Sequence, residues 1–242
     1  MTKRRKHIAS ASREVSLASD LLRAGLYKLF SVAFLFPTRE VVEYLSDLAE
    51  RIEALCLQRD GLWAALANYL RSAEFLSEKG RLSSAYDGLF HHECGLSLYE
   101  SEYRHGGFRR VECLADVSGF YRAFGLEPER ERHDHISVEL EFMHALVCKE
   151  IAAEQEEQRK VVLDVEGKFL AEHLAPWVPV LAAAISERAR SGFYAKMAAF
   201  LSEFLEDELR RLGVKSERRV APELSDELET DFECPLAQVC AR

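Results

Sequence analysis

The 242-residue chain contains no Gly-x4-Gly-Lys-Ser/Thr loop and no Gly-x-Ser-x-Gly turn. Nucleotide hydrolysis and acyl transfer therefore lack recognisable machinery. Cysteine is scarce and scattered: the six, at 56, 94, 113, 148, 234 and 240, form no Cys-x-x-Cys pair. That excludes a disulfide scaffold and a zinc ribbon and fits reduced thiols in a cytoplasmic setting. No apolar run approaches the ~20 residues of a spanning helix, since even the stretch 26–36 holds Lys28, so membrane insertion is not expected. An excess of positive charge is also absent. With 41 acidic and 32 basic residues the net charge is -9, which argues against nucleic acid and favours a basic partner.

What is present has helical period. Leu22, Leu26, Leu29, Phe30 and Ala33 share one face up to Pro37, and Thr38 can cap a second helix carrying Val41, Leu45, Leu48, Ile52 and Leu55. After Arg59-Asp60-Gly61 a third runs to Gly80, and a shorter fourth spans about 83–92. The stretch 95–110, centred on Gly106-Gly107, reads as an irregular loop of the kind that carries binding work. Helical patterns return over 111–124, 134–155, 158–173, 177–190 and 193–212. No alternating strand and no internal repeat emerge. The expected fold is all-α, one bundle of about nine or ten helices over residues 15–212.

Two ends stand apart. Residues 1–14 form a basic extension whose Lys3-Arg4-Arg5-Lys6 suggests an export signal, but Arg13, Glu14 and Asp20 interrupt the apolar core such a signal needs. Residues 213–242 form an acidic tail, expected to be mobile, that carries Cys234 and Cys240.

The densest chemistry lies at His133-Asp134-His135, where a polar turn enters an amphipathic helix with Ile136, Leu140, Met143, Val147 and Ile151 on one face. Asp134 is the expected N-cap, and Glu139 stands one turn beyond His135. Three readings compete: local capping, ligand binding, and a metal-dependent helical enzyme using His133, His135 and Glu139 with help from His91-His92. The aromatic pairs Tyr86 with Phe90 and Phe120 with Phe124 read as core that could also wall a groove.

At these residues the chain resembles the TorD/DmsD family of maturation chaperones for molybdenum-containing oxidoreductases. The resemblance rests on Asp134-His135 followed by Glu139-Leu140, and on Tyr86-Asp87-Gly88-Leu89-Phe90, Glu100-Ser101, Tyr121 to Leu126, His173-Leu174-Ala175-Pro176-Trp177 and Phe193-Tyr194. It implies a TorD-like helical fold and a cytoplasmic chaperone, not an enzyme. Such a chaperone binds the twin-arginine signal peptide of the apo catalytic subunit of a molybdoenzyme of the dimethyl sulfoxide reductase type, and delays export until the molybdopterin cofactor is loaded. The peptide contacts it implies are Tyr86, Leu89, Phe90, Leu98, Glu100, Ser101, Asp134, His135 and Glu139. A leader offers guanidinium groups and then an apolar segment, so carboxylates beside an apolar groove would suit it. No tightly bound cofactor is expected; the resemblance leaves open transient contact with molybdopterin or a guanine nucleotide, and a homo-oligomer formed by helix exchange. His91-His92-Glu93-Cys94 departs from the Gly-Pro common in the family, so the groove rim is expected to differ.

Overall fold

Pro37, which has no amide hydrogen to donate, closes the first helix, α1 (Thr2–Ala33). In this computed structural model the described residues are 2–55, 61–91, 95–104, 107–129, 131–189 and 191–216. Side chains before residue 17 lie outside the description, so of the basic extension only its helical backbone is known. The Thr38 hydroxyl accepts from the Val41 amide and opens α2 (Arg39–Leu55). The chain continues through α3 (Leu62–Arg71), α4 (Ala73–Glu78), α5 (Leu82–Tyr86), α6 (Gly107–Ala123), α7 (Ile136–Ala152), α8 (Glu156–Phe169), α9 (Ala175–Ala189) and α10 (Phe193–Leu212). Ten α-helical segments and no strand occur among the described residues, as the apolar periodicity implied.

Boundaries move where local chemistry was misread. The α6 helix begins at Gly107 rather than near 111, and Glu100–Tyr103 winds as a 3-10 turn inside the stretch expected to be irregular. The α5 helix runs into a π turn over Asp87–His91, and a second π turn, Leu170–Leu174, joins α8 to α9. The resulting helical stretch, Glu156–Ala189, is long and apolar enough by length and composition to cross a membrane, although no uninterrupted apolar run within it approaches that length. Of the 18-residue window within it that is apolar enough, 61% is buried inside the bundle, the situation of a core helix.

At the centre α1 lies along α7, the most extensive pairing of the molecule, with α10 against α9 and α2 against α1 around it. Leu26, Leu29, Phe30, Leu140, Met143, Val147, Trp177 and Leu201 are fully buried, each worth about 1.5–3 kcal/mol. One polar cluster crosses this core. Arg23 of α1 donates to Glu208 (2.9 Å), Glu150 (3.0 Å) and Glu166 (2.7 Å), so one guanidinium ties α10, α7 and α8 together. Arg159 and Arg211 reach the same carboxylates from the surface side. Cys113 and Cys148 are free thiols, and the other four cysteines and the acidic tail from 217 lie outside the described residues.

Candidate functional site

Leu98 and Glu100 are stapled to the start of α7. Ile136 N–H donates to the Leu98 carbonyl and Glu100 N–H to the Asp134 carbonyl, both at 2.9 Å, making an isolated β-bridge, Tyr99 with His135. This crossing satisfies backbone groups that two irregular segments would otherwise leave unpaired, and it brings residues 98–101 beside 132–135.

The N-cap of α7 is His135, not Asp134: its Nδ1 accepts from the Ser137 amide at 3.3 Å and lies 2.5 Å from the Ser137 hydroxyl. Burial lowers the His135 imidazole to about 4, despite the opposing Asp134 charge, so the ring stays neutral and can accept. Asp134 is fully buried. Its carboxylate accepts from Arg132 Nε (3.0 Å), from an Arg132 terminal nitrogen (2.8 Å) and from the Ser101 amide (3.1 Å). Burial would raise this carboxyl; the hydrogen bonds from Arg132 and Ser101 hold it below its ordinary range.

Glu100 and Glu139 are also sealed. Glu100 accepts from Arg104 at 2.6 Å and pairs with His173 Nδ1 at 2.9 Å, and these partners outweigh burial to bring its carboxyl to about 2. Glu139 accepts from Trp177 at 3.3 Å; burial and the neighbouring charge of Glu100 push its carboxyl well up, so it keeps its proton. The carboxylates expected to meet a cationic ligand are thus occupied from within the chain. Ser101 is buried with them, its hydroxyl accepting from Arg132 at 2.8 Å.

The metal constellation does not assemble. His133 pairs with the Ser118 hydroxyl at 2.5 Å, His135 with Ser137 and Glu139 with Trp177, so the three turn to separate partners; His92 lies outside the described residues. Two other groups of ligand types do gather: Glu100, Cys113 and His173, and Asp116, Glu172 and His173. In the first, Glu100 already serves Arg104 and His173, and burial raises the Cys113 thiol so that it holds its proton. In the second, His173 Nε2 stands 3.5 Å from an Asp116 oxygen, but Arg104, which donates to the Glu172 carbonyl, sets a positive charge beside it.

A concave surface adjoins these groups at Tyr121, Glu131 and Ser137. A groove of about 550 Å³ runs between α1, α7 and the connection after α6. Val32, Leu35, Leu126, Val138 and Phe142 form its apolar walls. Glu127, Glu129, Glu131 and Glu141 rim it, with Lys28 paired to Glu141 at 2.7 Å. Beyond Leu35 the next residue, Phe36, is 43% exposed and packs on Tyr86 (ring centroids 5.4 Å) and His91 (5.9 Å). Tyr86 contacts Phe90 at 4.9 Å and Tyr194 at 5.8 Å. Tyr86 and Tyr194 are buried, and the Glu131 charge adds to the burial that raises the Tyr86 and Tyr99 phenols. Leu89 and Leu98 are buried, Leu89 in the wall of a separate cavity of about 200 Å³ with Phe193 and Tyr194.

The structure therefore buries Tyr86, Leu89, Leu98, Glu100, Ser101, Asp134, His135 and Glu139, leaves Phe90 half-buried, and brings none of these nine expected contacts into the lining of the groove. Sequence reasoning missed Leu35, Leu126, Val138 and the glutamate series 127–131. The run Glu127-Pro128-Glu129-Arg130-Glu131-Arg132 after the Gly125 turn was the available signal, since such charge density marks an exposed rim.

A family model described as nitrate reductase delta subunit matches residues 52–183, more than half of the chain. The perchlorate reductase assembly chaperone protein of Dechloromonas aromatica is 26% identical over 210 residues, covering 80% of this chain and 91% of that protein. The chlorate reductase assembly chaperone protein of Ideonella dechloratans is 32% identical over 139 residues, covering 54% and 70%. The chaperone protein TorD of Aliivibrio salmonicida is 24% identical, covering 73% and 77%. A solved redox enzyme maturation protein from Archaeoglobus fulgidus has 23% identity and a TM-score of 0.47, covering 76% of this chain and 93% of that one.

Proposed function

The chain belongs to the nitrate reductase delta subunit family, the family of TorD-like assembly chaperones, and on that premise we propose that it is a cytoplasmic chaperone for the catalytic subunit of a molybdoenzyme reductase. The relatives are chaperones by name, which supports a non-enzymatic role. The chaperone holds the twin-arginine leader of the apo subunit and delays its export while the molybdopterin cofactor is inserted.

One observation carries this reading: an apolar groove with a glutamate rim. A leader is a short cationic stretch followed by an apolar one. The groove walls take the apolar segment, and Glu127, Glu129 and Glu131 offer charge-assisted hydrogen bonds to arginine beside it. The partner is the apo catalytic subunit, and any contact with molybdopterin or a guanine nucleotide is transient.

Asp134 and His135 hold the backbone of the site together, so substituting them tests the fold as much as the binding. Residues that line the groove serve better. Titration calorimetry with a synthetic twin-arginine leader is expected to show at least tenfold weaker binding for Val138→Asp and for the triple change Glu127→Gln, Glu129→Gln, Glu131→Gln, about 1.4 kcal/mol or more, with helix content unchanged by circular dichroism. Wild-type affinity in both variants would remove the groove from the reading.

A further inference from the structure

Asp134 already holds a guanidinium, and it belongs to Arg132. The contact has every part of an arginine receptor. Nε and a terminal nitrogen of Arg132 reach the two carboxylate oxygens at 3.0 and 2.8 Å, the same terminal nitrogen donates to the Ser101 hydroxyl at 2.8 Å, and the guanidinium carbon stands 4.2 Å over the Tyr99 ring. Carboxylate fork, hydroxyl and aromatic lid together select arginine over lysine, because an ammonium cannot meet both oxygens in one plane and stack as well.

The occupant is loosely built in. Arg132 lies on the irregular connection between α6 and α7, its side chain is 47% exposed, and its carboxylate partner is two residues away, so rotation of one side chain would vacate the pocket without disturbing the core. The carboxylate itself is fully buried. Glu150 also meets a half-exposed arginine, Arg159, but has buried Arg23 as a second cation. Asp134 has Arg132 alone as its cationic partner among the described residues. An empty pocket would strand a buried charge, so departure of Arg132 is favourable only if another guanidinium enters.

We propose that Tyr99, Ser101 and Asp134 form an exchangeable arginine pocket, filled by Arg132 in the free protein and entered by an arginine of the client leader that displaces it. This rests on the leader-binding reading. Arg132 follows Glu131 of the acidic rim directly in the chain, so an arginine anchored in its place leaves the following apolar segment beside the groove. Self-occupancy lowers the apparent affinity by the fraction of molecules whose pocket is free, and it discriminates against ligands that bring only lysine.

The test uses the full chain and two synthetic peptides, one with an Arg-Arg pair before an alanine-leucine segment and one with Lys-Lys in its place. Arg132→Ala is expected to bind the Arg-Arg peptide at least about fivefold more tightly than wild type, with the Lys-Lys peptide gaining less. Arg122→Ala makes the same charge change on the exposed face of α6 and controls for net charge; an equal gain there overturns the proposal. A second readout needs no peptide. Ethylguanidinium is expected to raise the melting temperature of Arg132→Ala but not of wild type, and ethylammonium to leave both unchanged. No selective rescue overturns the pocket. Peptide affinity in Arg132→Ala equal to a measurable wild-type value overturns the exchange and leaves the leader reading intact. Failure of either protein to bind the Arg-Arg peptide overturns both.

Discussion

Glu139 carries its proton into the folded protein, because it is fully buried and shares its surroundings with the ionised Glu100 and Asp134. The unfolded carboxyl releases that proton as pH rises through its ordinary value near 4.5. Above that pH folding must retain a proton that the unfolded chain has lost, so stability falls with rising pH until the folded carboxyl itself titrates, by about 1.4 kcal/mol for each unit of separation. Glutamine mimics the protonated acid. Glu139→Gln is expected to match the wild type in urea melts near about pH 4.5 and to exceed it by at least about 1 kcal/mol near about pH 8. His135 has the opposite sign. Its imidazole falls from 6.5 to about 4 on folding, so its contribution is fully present above 6.5 and is lost as pH drops from there to about 4. The loss is on the order of 3 kcal/mol. Asparagine caps without titrating in this window, so the stability of His135→Asn is expected to decline less between about pH 7 and about pH 5, measured by the same melts.

At the scale of elements, Arg23 is the joint. It places one buried guanidinium among Glu150, Glu166 and Glu208, which come from three other helices, with Asp20 of its own helix at 3.4 Å; Arg159 and Arg211 bring the cluster to three cations and four carboxyl groups, of which burial raises that of Glu166 to about 7. Tyr27, one turn along α1, adds its hydroxyl to Glu208 at 3.2 Å. Removing the central cation leaves carboxylates buried without their main partner, the costly way to break such a cluster. Arg23→Met is expected to lose about 3–5 kcal/mol in chemical denaturation. Arg23→Lys recovers only part of it, since one ammonium cannot reach the three carboxylates that the fork spans. The same element, α1, supplies Val32 to the groove, and Leu35 follows just past its end, so the docking of α1 on α7 shapes the candidate site.

For the whole molecule, charge decides how a partner arrives. A net charge of -9 and a glutamate rim around the groove create a negative field that favours approach of any basic segment, and salt screens it over about 8–10 Å. The association rate with a twin-arginine leader is expected to fall by about tenfold or more from low to high ionic strength in stopped-flow measurements, while dissociation changes less. An association rate indifferent to salt would place the binding energy in apolar contacts alone.

The all-α class, the order of the helices and their inward faces follow from residue periodicity, because a 3.6-residue repeat of Leu, Ile and Phe leaves a helix few other ways to bury them. The chemically rich residues were equally visible: Glu100, Asp134, His135 and Glu139 stand out in any reading of the sequence. Their state was not. Whether a carboxylate faces solvent or a buried arginine depends on residues distant in the chain, such as His173 for Glu100 and Trp177 for Glu139, or on a loop folding back, as with Arg132 over Asp134. The groove belongs to the same class of property. Its walls come from α1, from the connection after α6 and from α7, and only packing sets them face to face. Periodicity is a local quantity and determines elements; burial, protonation and concavity are relations between elements, which only the tertiary structure decided.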